Sequence, residues 1–176
     1  MEARHLDAAS VVIREARISD AAGCLAFLRE LTSESDIMIP GYPDEWEFPV
    51  HDEEAFIEEM LATPNCLMLV VEAEGRIAGI LTCQGGKRRA MQHAAMLGIS
   101  LHKDYRDRGL GHELMQRAID WARSSHITRI ELFVYVENAK GIHLYEKFGF
   151  KIEGRRSHTY YHNGRYIDDY VMALLL

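Results

Sequence analysis

"YRDRGLGHEL", Tyr105 to Leu114, decides how the rest of the chain is read. Gly109 and Gly111 follow Arg106 and Arg108, and apolar residues at helical spacing begin at once. A strand that runs through a glycine turn into a helix presents unpaired backbone N–H groups, and the helix dipole adds about half a positive charge there. Glycine also takes positive φ and lets a phosphate approach the backbone. Spacing alone leaves two readings open, a phosphate cradle or a helix that merely starts on a flexible turn. A P-loop needs G-x-x-x-x-G-K-[ST], which does not occur here. A dinucleotide fingerprint would need a third glycine where Leu114 stands.

Working outward, "VVIREAR" (11–17) predicts a first strand. "ISDAAGCLAFLRELTSES" (18–35) predicts a helix capped by Ser19 or Asp20. The segment 36–50 holds three of the four prolines and reads as a loop, and "HDEEAFIEEMLA" (51–62) as a helix. "NCLMLVVEAEGRIAGILTCQGG" predicts two antiparallel strands about a Glu74-Gly75 turn. A strand over 92–103 leads to the glycine turn, then a helix over 110–126 with Leu110, Leu114, Ala118, Trp121 and Ala122 inward. "RIELFVYVE" reads as a strand buried on both faces. "NAKGIHLYEKF" reads as a helix stopped by Gly149, and the rest as a hairpin about "HNG". The expectation is α/β (α+β): one domain over 1–176, a mixed, mostly antiparallel twisted sheet of about seven strands with about four helices.

Composition narrows the function. Twenty basic residues against 27 acidic give a net charge of −7, which argues against nucleic-acid binding by bulk charge and weakly favours cationic substrates. Cys24, Cys66 and Cys83 are scattered and form no C-x-x-C pair, as expected of thiols in a reducing compartment. "MEARHLDAAS" has no signal-peptide apolar region, and "CLMLVVEA" is too short to span a bilayer. A soluble, cytoplasmic protein is expected.

The phrase R-x-x-G-x-G at Arg106–Gly111, followed by "VYVENAKGIHLYEKFGFKIEGRR", resembles the GNAT superfamily of acyl-CoA-dependent N-acetyltransferases. The resemblance lies in wording, order and separation, and its elements cover nearly the whole chain. It implies acetyl-CoA as cosubstrate. The backbone of Ile99, Ser100 and Leu101 would pair with the pantetheine arm. The amides of Arg106, Asp107, Arg108, Gly109, Leu110 and Gly111 would hold the pyrophosphate. Asn138 would hydrogen-bond the arm, and Tyr145 would protonate the leaving thiolate.

Attack on a thioester needs a neutral amine. With a reference pKa of about 10.4, only about one lysine-like amine in a thousand is neutral near pH 7.4, a cost of roughly 4 kcal/mol. Desolvation or a base must recover it. A backbone donor for the oxyanion is expected on a broken fourth strand near Leu97–Ile99. The base stays unassigned among His93, which shares a strand face with Leu97, an acidic residue of the 44–47 loop, and water. Some polyamine-acetylating relatives place a carboxylate on the fourth strand, whereas this chain reads "HAAMLG".

His158 and His162 would share a strand face, but no Cys or carboxylate completes a ligand set, so no metal is expected and a groove wall or dimer contact is the reading. At least one of Asp168 and Asp169 should face solvent. Asp44, Glu45, Trp46, Glu47 and Phe48 form a candidate acceptor wall for an ammonium group, and Lys87–Gln92 an exposed basic connection. The expected partner is a small-molecule or peptide amine, with a polyamine first and an antibiotic amine or a protein N-terminus equally open. No nucleic acid or membrane is expected, and a homodimer is compatible. The rival reading is a non-catalytic acyl-CoA-binding sensor or scaffold.

Overall fold

The computed structural model describes residues 11–34 and 41–176. Among these residues, seven strands form one sheet in the order β1-β2-β3-β4-β5-β7-β6. They are β1 (Val11–Glu15), β2 (Cys66–Ala73), β3 (Arg76–Gly85), β4 (Ala94–Leu101), β5 (Arg129–Tyr135), β6 (Lys151–His162) and β7 (Arg165–Leu175). Four helices accompany them: α1 (Ala21–Thr32), α2 (Val50–Ala62), α3 (Leu110–Ser124) and α4 (Ala139–Lys147). The order of elements is the expected one.

The local chemistry explains the boundaries. Glu74 and Gly75 both take positive φ, 52° and 73°, as do Asn163 and Gly164 at 49° and 81°. These are the two-residue turns whose twist suits a hairpin. The predicted first helix opens as a 3-10 turn at Ile18–Asp20. Asp20 still stands at the N-cap position of α1, but its carboxylate accepts from the Arg17 amide and the Arg14 guanidinium. The end of that prediction and residues 36–40 of the predicted loop lie outside the described residues, and 41–48 hold a short 3-10 turn at Pro43–Trp46.

Two cores sandwich the sheet. On one face α3 buries Leu114, Met115, Ala118, Ile119 and Ala122 beside Leu97, Ile130, Leu132, Val134 and Tyr145. Each large side chain among them contributes about 2 kcal/mol by leaving water. On the other face α1 and α2 bury Cys24, Phe27, Leu31, Ile57 and Met60 over Met68, Val70 and Ile80. Leu110 and Trp121 only edge the first core. The strand β5 departs from the expectation of two buried faces. Ile130, Leu132 and Val134 are buried, while Phe133 on the opposite face is 42% exposed.

The feature that positions the site is a parting of the sheet. Strands β4 and β5 pair in parallel only at Ala94–Met96 with Arg129–Glu131. Beyond Met96 the two diverge, and among the described residues Leu97–Leu101 keep a strand partner on the β3 side alone. β4 runs against β3 without a register shift, so the expected break within the strand is absent. The opening comes from β5 leaving, not from a bulge in β4.

Candidate active site

A cleft of about 1340 Å³ passes through this parting and opens on both faces of the sheet. On the α3/α4 side it is lined by Ile99, Ser100 and Leu101, by Arg106, Asp107, Gly109 and Gly111, and by Asn138 and Tyr145. The structure thus brings together most of the residues singled out in the sequence. Arg108 and Leu110 contribute no lining, because the Arg108 guanidinium sits 5.6 Å over the Tyr105 ring and Leu110 turns toward the core.

The turn before α3 is built from local bonds. His102 is buried; its Nδ1 accepts from the Asp104 amide at 3.2 Å, which leaves Nε2 to donate to Glu30 at 3.0 Å. The Arg106 amide closes onto the Lys103 carbonyl at 3.3 Å, so it is not among the free donors. Its side chain points back to the Leu101 carbonyl (2.9 Å) and Glu34 (2.5 Å), which neutralises its charge. Asp107 and Gly109 take positive φ, 60° and 82°. The first helical bond is Glu113 N–H to Gly109 O, so the amides of Leu110, Gly111 and His112 have no intrahelical acceptor. Apart from its chain neighbours, no heavy atom of the described residues lies within 4 Å of where a Gly109 Cβ would be. Gly111 serves packing instead, since its Cβ would meet Leu144 at 3.3 Å.

Asn138 caps α4, its Oδ1 accepting from the Gly141 amide at 2.9 Å, and the side-chain NH2 remains to donate. Tyr145 packs its ring 6.0 Å from Phe150, and burial pushes its phenol up to about 12.

On the α1/α2 side the walls are aromatic: Trp46, Phe48, Phe56, Phe133, Tyr135 and Tyr160. The acidic loop residues do not reach the cleft; Glu45 caps the Tyr42 amide at 2.7 Å, and Asp44 and Glu47 line nothing there. The carboxylates that line it on this side are Asp52, Glu53, Glu137 and Asp169. Glu53 is 6% exposed, and burial raises its carboxyl above the ordinary carboxylate range. Glu137 is held by Arg165 through two 3.0 Å bonds. Asp169 is fully buried and takes two bonds from Arg156, whose guanidinium lies 3.7 Å over the Phe133 ring.

Two further expectations fail. His93 is exposed and lies outside the cleft, because β4 begins only at Ala94 and its opposite end frames the opening. His158 and His162 do not share a face. A bulge between Arg156 and Tyr160 inserts extra residues opposite Asp168, so His158 (φ 55°) stacks on Tyr166 at 4.2 Å. His162 instead stacks on Tyr42 at 4.5 Å. Asp168 and Asp169 point oppositely, as expected: Asp168 binds Arg155 and the His158 amide outside, and Asp169 turns inward. Lys87 makes an exposed pair with Glu59. Cys24 and Cys83 are buried free thiols, pushed up to about 12 by burial. Among the described residues no helix is long and apolar enough to cross a membrane.

A cleft with a glycine turn and free amides on one face of a sheet and an aromatic chamber on the other has room for two substrates, as a transferase requires. Residues 28–150 match the Acetyltransferase (GNAT) family, and the chain belongs to it. It is 30% identical over 167 residues to the L-amino acid N-acetyltransferase AaaT of Escherichia coli strain K12, covering 93% of this chain and 96% of that one. It is 27% identical over 154 residues to a spermidine N(1)-acetyltransferase of Vibrio cholerae, covering 87% and 88%. A GNAT-family acetyltransferase structure from Streptococcus pneumoniae superposes with a TM-score of 0.88 at 34% identity, over 94% of this chain and 99% of that one. The protein is an acyl-CoA-dependent N-acetyltransferase, with acetyl-CoA as cosubstrate. The free edge of β4, the open space at Gly109 and the unpaired amides of α3 fit that molecule.

Proposed function

We propose that residues 1–176 act as one domain that acetylates the primary amine of a compact, amino-acid-like acceptor. The observation that carries this reading is the acceptor chamber, which is aromatic and offers little free negative charge: Asp169 is neutralised by Arg156, and burial favours the uncharged form of Glu53. A polyamine, favoured by composition, needs free carboxylates at intervals, whereas Glu137 is also paired and Asp52 is left as the one of the four without burial or an arginine partner. The similarity to an L-amino acid acetyltransferase along nearly the full chain points the same way.

Acetyl-CoA supplies the thioester carbonyl. The backbone of Ile99, Ser100 and Leu101 holds the pantetheine arm at the free edge of β4, and Asn138 donates to that arm from its side-chain NH2. The amides from Asp107 to Gly111 receive the pyrophosphate. Tyr145 serves as the general acid for the departing sulfur. Burial keeps its phenol protonated at any working pH and also makes it a weaker acid than a thiol near 8.5. Its contribution is therefore a hydrogen bond to charge developing on sulfur, with the proton passing late.

A thiol-release assay over L-amino acids, spermidine and an N-terminal alanine peptide tests the reading. The expected result is the highest kcat/KM with an L-amino acid, and spermidine as the best substrate overturns the acceptor class. With the best amine, Tyr145→Phe should lower kcat about 100-fold while acetyl-CoA binding holds. Normal turnover by that variant removes the general-acid role.

A further inference from the structure

Tyr135 ends β5, just where that strand has moved away from β4. Its side chain follows Phe133 on the face opposite Leu132 and Val134, and so opposite the core that holds Tyr145. It is 8% exposed, and its hydroxyl is buried without a hydrogen-bond partner among the described residues. A buried hydroxyl left unpaired is costly, and native structures seldom keep one without a use.

The surroundings do not supply a partner. Tyr160 meets the ring edge-on at 5.1 Å. Asp169 stands directly across the β5–β7 register, but both its oxygens are engaged by Arg156, and Thr159 adds a third bond at 3.1 Å. The same tyrosine lines both the main cleft and a smaller adjoining cavity of about 380 Å³, which Tyr42, Glu45 and His162 also line. Tyr135 therefore stands where an acceptor entering from the aromatic chamber meets the parting in the sheet.

We infer that the Tyr135 hydroxyl positions the acceptor amine. Its oxygen accepts one N–H of the neutral amine and so turns the nitrogen lone pair toward the thioester carbonyl. The C–N bond forms from that lone pair, the C–S bond breaks with its electrons going to sulfur, and the one proton lost by nitrogen balances the one gained by sulfur. Tyr135 is unchanged at the end. Burial first, then Tyr160 and Asp169, push its phenol above its ordinary value, so it stays neutral and serves as a positioning residue rather than a base. This inference rests on the acetyltransferase reading of the cleft but not on which amine is preferred.

The test is Tyr135→Phe, assayed with whichever amine the wild-type protein acetylates fastest. The expected result is a roughly 10- to 100-fold fall in kcat/KM for the amine with acetyl-CoA affinity unchanged. Because the variant deletes an unpaired buried hydroxyl, its Tm should equal or exceed that of the wild type by about 2–4 °C. A purely structural role would lower Tm and weaken both substrates together, which overturns the inference, as does unchanged turnover. An error in the acceptor class appears separately, in the ranking of amines by the wild-type protein.

Discussion

Glu53 is a carboxyl buried in the first turn of α2 and facing the cleft. Burial raises its folded pKa above the unfolded one, so the stability tied to its protonated form is complete below the unfolded value, near 4.5, and is lost as pH rises through the folded value. Glu53→Gln should therefore raise Tm at about pH 8, with the advantage gone below about pH 4. Scanning calorimetry across that range checks it, and a uniform offset at every pH would contradict it. In the sequence this residue reads as a complement to the helix dipole, because an acidic first turn is common on solvent-facing helices. Its burial depends on α2 packing over the sheet, which no local pattern reports. Tyr145 and Asn138 were legible because a specific phrase surrounds them, whereas Tyr135 has no phrase. Its interest comes from an unpaired hydroxyl, which only the packed structure reveals.

At the scale of the element, α3 and the turn before it form the proposed donor site. Gly109 holds φ of 82° with open space around it, so a methyl group meets strain rather than a clash. An alanine in the left-handed region costs roughly 1 kcal/mol, which for a chain of this size lowers Tm by about 2–4 °C. The same methyl would project into the space beside the free amides of α3, so Gly109→Ala should weaken acetyl-CoA at least about tenfold. Isothermal titration of the variant measures this, and undiminished affinity would remove the turn from the donor site. The hairpin turns and the helix periods were legible because each rests on a few neighbouring residues. The parting of β4 from β5 was not, and a break inside β4 was expected in its place. Strand divergence depends on where β7 draws β5, a contact some forty residues away in sequence. The bulge in β6 hid in the same way, and it separates His158 from His162.

On the proposed reading, the whole molecule divides the two substrates between the faces of one sheet. The donor side belongs to α3 and α4, the acceptor side to α1, α2 and the β6–β7 hairpin, and the gap between β4 and β5 is where they meet. Rigid packing on both faces should make the two sides separable by substitution. Asn138→Ala removes the cap of α4, a loss of about 1 kcal/mol, and removes the side-chain donor facing the cleft. It should lower Tm by roughly 2–4 °C and raise the KM for acetyl-CoA, with the ranking of amines unchanged. Phe133→Ala acts from the other face. That ring floors the acceptor chamber and carries the Arg156 guanidinium at 3.7 Å, so its loss should reorder the amines while acetyl-CoA affinity stays as it was. Steady-state kinetics of both variants against the same amine panel decide the point. If each variant shifts both substrates in parallel, the cleft works as one coupled pocket, and the sheet does not partition the reaction between its faces.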